Sequence, residues 1–267
     1  MPRMHRDFSA RGFTLIEMVV VVTITALLVP IVAVFIPRPM QGLVDTAGRV
    51  ALADAADTAV RRLQRDIQRA LPNSLRAQQS SGVWFIEYLP VEAAGRYCTA
   101  TDCGAFPLDT VNAQTQLSYA GQALPTLPAN SAVVIYNLGV AGSDAWAGDN
   151  LATLASASTG QVSFSTAKRF PFASPGNRFH VVSGPVSYAC GNGTLTRIWG
   201  YARQATQPVA VPAGASTALL ATQVSACNVS LANNSIDQNG LLVIRLTLSR
   251  GQENVSLSHA VRILNVP

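Results

Sequence analysis

One apolar run near the N-terminus constrains the fold of this chain more than any other feature. Residues 13–36 form a run of 24 residues with a single ionisable side chain, Glu17. As a helix rising about 1.5 Å per residue, the run would be about 36 Å long, enough to cross a hydrocarbon layer of about 30 Å. An acidic side chain at mid-membrane costs about 3 kcal/mol, so a chain that keeps Glu17 there needs a partner for it.

The residues before this run predict its orientation and processing. Residues 1–12 carry three arginines against one aspartate, and positive charge before a first membrane helix retains that end in the cytoplasm. A secretory signal places its small-residue cleavage site after an apolar core of about 7–15 residues. Here the core is longer, and the small residue, Gly12, precedes it. Cleavage after Gly12 would leave the helix on the mature protein, with a free amine on Phe13.

The stretch RGFTLIE (11–17) and the helix it opens resemble the class III signal of type IV prepilins and type II secretion pseudopilins. The resemblance implies that prepilin peptidase cuts after Gly12 and methylates Phe13. It also implies that Glu17 serves subunit assembly, since the positive N-terminus of a neighbouring subunit can neutralise it at low dielectric. The alternatives are a plain signal anchor with a stray glutamate and a cleaved secretory signal.

A second resemblance covers much of the remaining chain. Five segments resemble MshO-type minor pilins of the mannose-sensitive haemagglutinin (MSHA) pilus, at 54–62, 186–190, 194–201, 219–227 and 259–267. The resemblance implies a minor pilin in the bacterial inner membrane that later joins a cell-surface pilus. Its partners would be prepilin peptidase, other major and minor pilins and the inner-membrane assembly platform. The alternative in the same class is a minor pseudopilin of a type II secretion system.

A second helical stretch is predicted after the membrane. Apolar side chains recur every three or four residues over 45–71, and charged side chains lie opposite them. This stripe predicts a helix face that packs on a sheet, with a coiled-coil seam as the alternative. Pro30, Pro37 and Pro39 predict an interruption where the chain leaves the membrane, because proline removes a helix hydrogen bond.

Beyond residue 74 the apolar pattern changes to period two. Short strands are predicted at 83–89, 132–138, 161–165, 179–183 and 195–201. Two alternating segments, 241–249 and 255–263, flank a short turn and predict a hairpin at one edge of the main antiparallel sheet. The segments 90–130, 139–160 and 202–216 are predicted as long loops, some of them ordered surface lobes.

These patterns together predict an α+β protein, a long N-terminal hydrophobic helix packed on a head with an antiparallel β-sheet. The predicted parts are a cytoplasmic leader, 1–12, and a membrane or filament-core helix, 13–36. An amphipathic continuation, 37–72, leads to a periplasmic or extracellular β-rich head, 73–267.

Four cysteines fall in the exported part and predict disulfides, for which three pairings are possible. Cys98 and Cys103 enclose a short polar loop, and Cys190 and Cys227 bracket a longer segment, which favours those two pairs. A zinc site is the alternative, although neither pair has the CxxC spacing or a nearby histidine.

No motif of a known catalytic site occurs, so no enzyme activity and no cofactor are predicted. His180 and His259 fall in predicted strands without an acid–base partner. Asp144, Asp149 and Asn150 form an oxygen-rich loop that a Ca²⁺ ion could use, although turn chemistry explains it equally well. The net charge of +5 contains no basic run, so nucleic-acid binding is not expected.

Two further classes of protein share the anchor. One is a membrane-anchored periplasmic binding protein that never polymerises, which would not need Glu17. The other is a DNA-uptake tip pilin, whose head would bind duplex DNA with strong salt dependence.

Overall fold

The computed structural model describes residues 12–35, 37–233 and 239–264. Two helices precede all the strands, and the chain divides after Val50 into two compact units. The helices are α1 (Leu15–Phe35) and α2 (Pro37–Ile67). The strands are β1 (Arg76–Ser80), β2 (Val83–Tyr88), β3 (Val91–Tyr97), β4 (Gln114–Ala120), β5 (Ala132–Ile135), β6 (Leu151–Ser158), β7 (Gln161–Lys168), β8 (Arg178–Val182), β9 (Val186–Gly191), β10 (Gly193–Trp199), β11 (Ser216–Asn233), β12 (Asn239–Arg250) and β13 (Glu253–Leu264). An apolar helix followed by antiparallel sheets confirms the predicted α+β class.

Helix α1 is continuous through Pro30, so the predicted interruption at that residue is wrong. Proline removes one backbone donor, but apolar helices tolerate it because local adjustment satisfies the freed carbonyl. Pro37 and Pro39 lie in the first turn of α2, where a missing N–H leaves no bond unmade. Ile36, between the two helices, lies outside the described residues, so the interruption predicted there stays a prediction. Within α1, Leu15–Ala33 is apolar and long enough to span a membrane, with a mean hydropathy of 2.6.

The C-terminal part of α2 packs on a sheet through the predicted apolar stripe. Leu52, Ala56, Val60, Leu63 and Ile67 are all buried in one core with the inner face of that sheet. Full burial of such a side chain stabilises the fold by about 2 kcal/mol, so the stripe holds this half of the helix in place. The helix ends at Ile67, four residues before the predicted end.

The main sheet has seven antiparallel strands in the order β1-β2-β9-β10-β11-β12-β13. Its last two strands are the predicted hairpin, which confirms the hairpin and its place at the edge. Leu242, Ile244, Leu246 and Leu248 alternate along β12 and are all buried against α2. The register pairs Leu242 with Val261 and continues to the turn, so both strands turn their apolar sides to the same core.

A closed barrel of six strands, in the order β3-β4-β7-β6-β5-β8, forms the second part of the head. Three of its strands, β3, β4 and β6, fall in the segments 90–130 and 139–160 that were predicted as loops, and that prediction is wrong for those residues. The expectation of ordered lobes there is confirmed, since the barrel has its own core. That core includes Tyr97, Leu117, Phe164, Phe170 and Phe179.

A third apolar cluster contains residues from connecting segments and from the barrel. It includes Leu71, which follows α2, Leu89, which joins β2 to β3, Trp146, between β5 and β6, and Val182, at the end of β8. The indole Nε1 of Trp146 donates to the carbonyl oxygen of Ser74, at 2.8 Å. The cluster therefore joins the barrel to the segments that follow α2 and β2.

Candidate assembly and anchoring site

Three residues precede α1 and fix where it begins. Gly12, Phe13 and Thr14 are exposed and non-helical. Thr14 caps the helix, because its Oγ1 accepts from the backbone N–H of Glu17 at 3.3 Å and its carbonyl accepts from Met18 at 3.2 Å. Threonine followed three residues later by glutamate is the spacing of a capping box. This role of Thr14 was not predicted, although the T-x-x-E spacing signals it.

Glu17 lies in the first turn of α1, where the helix dipole favours negative charge. Among the described residues it forms no ion pair. The first turn of α1 therefore stabilises the negative charge of Glu17 through the helix dipole, and no described residue supplies a positive charge that pairs with it. The structure places Gly12, Phe13 and Glu17 within one exposed segment of six residues; their roles in processing and assembly remain predictions.

The surface of α1 is apolar and uncovered. Phe13, Leu15, Ile16 and Leu27 are each at least 70% exposed, and none of the membrane-length stretch is buried. Large exposed apolar surfaces in a folded chain indicate contact with a membrane or with other proteins. The described stretch of α1, Leu15–Ala33, therefore exposes its apolar side chains.

Two hydroxyl groups on α1 are satisfied within the helix. Thr23 donates to the carbonyl of Val20 at 2.9 Å, and Thr25 donates to that of Val21 at 2.8 Å. In an apolar environment an unmade hydrogen bond costs several kcal/mol, so these internal bonds suit a helix surrounded by lipid or by other helices.

The four cysteines form two disulfides in the head, Cys98–Cys103 and Cys190–Cys227. This is the pairing that the cysteine spacing favoured. Each of the four sulfurs is bonded to the sulfur of its partner cysteine, so none is available as a ligand of the alternative zinc site.

The loop proposed for Ca²⁺ uses its oxygens in turns. Asp144 accepts from the backbone N–H of Trp146 at 2.9 Å, and Asp149 accepts from that of Gly142 at 2.8 Å. The buried Asn150 donates to the carbonyl of Tyr136 at 3.2 Å. These bonds give each side chain a structural role, and calcium binding by this loop stays a prediction.

The two histidines of the head lie in separate places. His180 is half-buried in β8, where burial and the neighbouring Arg178 lower its pKa. His259 lies in β13, and its Nε2 is 2.7 Å from the Oε1 of Gln64 on α2. His259 therefore belongs to the helix–sheet contact, as expected for a histidine on the apolar side of its strand.

Glu87 is a buried carboxylate that was not predicted from the sequence. It links separate segments of the head through its bonds to Arg76 and Tyr201. Glu87 on β2 is fully buried and pairs with Arg76 at 2.6 Å, while Tyr201 donates to its second oxygen at 2.8 Å. Arg76 also donates to the carbonyls of Ala205 and Gln204, and it lies 3.7 Å from the centre of the Trp146 ring. In sequence, nothing distinguishes Glu87 from a solvent-facing residue of an alternating strand.

The stability of the head is expected to depend on pH through Glu87. Burial raises the pKa of this carboxyl group, although Tyr201 and Arg76 oppose the rise. The folded state then binds its proton more tightly than the unfolded state, so this contribution is present at low pH and is lost as the pH rises through the folded pKa.

This dependence can be measured by urea unfolding of the full chain in detergent between acid and neutral pH, for the natural protein and Glu87→Gln. The natural protein should lose stability relative to the variant as the pH rises. Equal slopes for the two proteins would contradict a raised pKa at Glu87.

Comparison with protein families gives one match, to the prokaryotic N-terminal methylation motif, over residues 8–29. The match covers Gly12, Phe13 and Glu17 and continues along α1 as far as Val29. Neither the comparison with curated proteins nor that with solved structures gives a match. The motif and the apolar helix support a type IV pilin-like or pseudopilin protein, a class of membrane-anchored structural subunits. Such a motif implies processing by prepilin peptidase and assembly with pilins.

Proposed function

We propose that this protein is a minor pilin of an MSHA-type type IV pilus. Prepilin peptidase would cut after Gly12 and methylate Phe13, and the mature chain would wait in the inner membrane before it joins the filament. The single observation that carries this proposal is the methylation motif at the start of an apolar helix whose exposed stretch Leu15–Ala33 is long enough to span a membrane. Such a helix would be surrounded by lipid before assembly and by the helices of other subunits in the filament.

The position of Glu17 supports assembly in preference to simple anchoring. Its carboxylate lies at the start of a helix that provides no counter-ion among the described residues. A new amine on Phe13 of a neighbouring subunit would be a positive group at the same depth. Pairing the two removes the cost of an isolated charge at low dielectric.

The predicted parts of the chain acquire functions in this proposal. The leader, 1–12, would remain cytoplasmic and be removed, and 13–36 would be the membrane and filament-core helix. The continuation 37–72 would connect to the periplasmic head, 73–267. The barrel makes this head larger than a repeating fibre subunit usually needs, which favours a low-copy or tip position.

The second candidate is a minor pseudopilin of a type II secretion system. It is favoured by the same N-terminal motif, since pilins and pseudopilins share this signal. The segments that resemble MshO-type pilins, among them 194–201 and 259–267, favour the pilus. Deletion of the gene separates the two, because loss of piliation with normal protein secretion supports the pilus and the reverse supports the secretion system.

Processing is tested by the intact mass and N-terminal sequence of the protein isolated from cells. The expected product begins with Phe13 and carries one added methyl group. The matched control is the same measurement in cells without prepilin peptidase, where the chain should keep its leader. A protein that retains Met1 in normal cells would contradict the proposal.

A further inference from the structure

The strand β13 forms one edge of the main sheet, and within the described part of the chain only β12 pairs with it. It has 12 residues and keeps a single register with β12 from the turn to its end, without a bulge. The strand at the other edge, β1, has only 5 residues, and its Arg76 donates to the carbonyl oxygens of Gln204 and Ala205. The long, regular edge of the sheet is therefore the one that β13 presents.

The turn of the hairpin determines which backbone groups of β13 point away from the sheet. Gly251 has a φ of 61° and begins a two-residue turn, which places Arg250 opposite Glu253 as a pair that exchanges backbone hydrogen bonds. Such pairs occur at every second position of an antiparallel ladder, so the odd-numbered residues of 253–263 bond to β12. The even-numbered residues direct their N–H and C=O groups to the free edge, and all of them are exposed: Asn254, Ser256, Ser258, Ala260 and Arg262.

The features that usually prevent an edge strand from pairing are missing from β13. Natural edge strands are short or bulged, or carry proline or lysine, because a row of unpaired backbone groups otherwise attracts another strand. Between Glu253 and Leu264 the sequence contains neither proline nor lysine, and its one arginine, Arg262, lies near the end of the strand. Serine and alanine occupy the middle of the free edge. This row of backbone groups is therefore open to a further strand.

We propose that β13 pairs with β13 of a second copy of this chain, antiparallel to it, around a twofold axis at Ser258. Ser258 is the middle one of the five free residues, so this register pairs all of them with their counterparts, with two backbone hydrogen bonds for each pair. The two seven-stranded sheets would then form one continuous sheet. Because a twofold contact occupies the same edge on both copies, the pair closes and does not extend into a fibre.

The exposed side chains of β13 fit this register. Ser258 would face its own copy, and Ser256 would face Ala260, so only small side chains meet at the centre. Arg262 would face Asn254, whose amide oxygen can accept from the guanidinium group. No two like charges lie opposite each other, which removes the usual electrostatic cost of pairing a strand with itself.

The side chains on the opposite face of β13 favour a second copy over an unrelated strand. Val255 and Leu257 are only half-buried against the core that α2 and the main sheet share. In the proposed register Val255 would face Val261, and Leu257 would face His259. A neighbouring strand would thus remove more of this apolar surface from water. A partner of another sequence would need the same alternation of small and apolar side chains, which β13 itself supplies.

Cysteine cross-linking of the full chain in detergent tests the register. In Ser258→Cys the two new cysteines would face each other with Cα atoms about 5.5 Å apart, a separation that suits a disulfide. Ser256→Cys is the matched control, because it is exposed on the same face but lies four residues along the strand from its counterpart, about 14 Å away. After mild oxidation, the disulfide-linked dimer should form at least tenfold faster in Ser258→Cys than in Ser256→Cys.

A charge substitution tests the association without a covalent bond. Ser258→Lys would place two ammonium groups side by side at the twofold axis and should weaken the dimer at least tenfold, as measured by sedimentation in detergent. Ser230→Lys adds the same charge at an exposed position of β11, away from the free edge, and should associate as the natural protein does. All these variants retain α1, so association through that helix is common to them.

The proposal is overturned if the two cysteine variants cross-link equally fast, or if Ser256→Cys is the faster. It is also overturned if Ser258→Lys and the natural protein have the same association state, a result that would leave the free edge to a strand of another protein. Either measurement remains decisive if a variant of the other fails to fold. Filaments have no part in these experiments, so a failure here leaves the proposed pilin function intact.

Discussion

Glu17→Ala should enter the membrane normally and fail to enter filaments. Removing the carboxylate removes a charge from an apolar helix, so insertion becomes no less favourable. In a filament, however, the amine on Phe13 of the adjacent subunit would lose its partner at low dielectric. Breaking such a pair costs about 3–5 kcal/mol, which corresponds to a loss of incorporation of about 100-fold or more. The amount of variant in sheared pili, relative to the membrane fraction, measures this loss.

Two further variants separate the charge of Glu17 from its place in the helix cap. Glu17→Gln keeps the size and the hydrogen-bonding capacity of the side chain but not its charge, and it should fail as Glu17→Ala does. Thr14→Ala removes the capping oxygen, which costs about 1 kcal/mol, while the charge remains. It should therefore assemble much better than either Glu17 variant. Normal incorporation of Glu17→Ala would show that the chain is anchored without being a filament subunit.

The elements that the sequence predicted well are those whose signals are local. The apolar run of α1, the stripe of α2 and the alternation of β12 and β13 are each complete within a few turns or one hairpin. Each signal is a repeat of apolar side chains along a single helix or strand, even where, as for α2, that face packs on strands distant in the sequence. Periodicity therefore contains nearly all the information that sets their structure.

The barrel could not be predicted in the same way because its pairings are distant and its strands are weakly patterned. Most side chains of β6 are exposed, so the strand shows little alternation. Gly95 in β3 weakens the strand signal because glycine is depleted in strands, yet a Cβ there would lie 2.6 Å from the ring of Phe179, its partner on β8. The contact requires glycine, but a residue more than 80 positions away creates that requirement.

The candidate site shows the same division. Gly12, Phe13 and Glu17 were found because a short motif contains all three. The spacing T-x-x-E that signals the capping role of Thr14 is equally local. That role was not predicted, because Thr14 was counted only as a residue of the apolar run.

The disulfide Cys190–Cys227 should stabilise the head more than Cys98–Cys103 does. The first joins β9 to β11 across β10 and links residues 37 apart, whereas the second links residues 5 apart. Closing a loop of about 40 residues restricts the unfolded chain by about 4 kcal/mol, and a loop of about six residues by about 2 kcal/mol. The double variants Cys190→Ala/Cys227→Ala and Cys98→Ala/Cys103→Ala should therefore differ by about 2 kcal/mol in the free energy of unfolding.

The two double variants are matched at one end of each bridge. Cys98 and Cys190 are both at most 1% exposed, so replacing each by alanine leaves a similar small gap. Cys103 is exposed whereas Cys227 is half-buried, so lost packing at Cys227 adds to the effect of loop length in the same direction. Urea unfolding of the full chain in detergent, followed by tryptophan fluorescence, gives both free energies. Equal losses in the two variants would mean that the unfolded chain is already restricted around the main sheet, for example by residual pairing of the hairpin of β12 and β13.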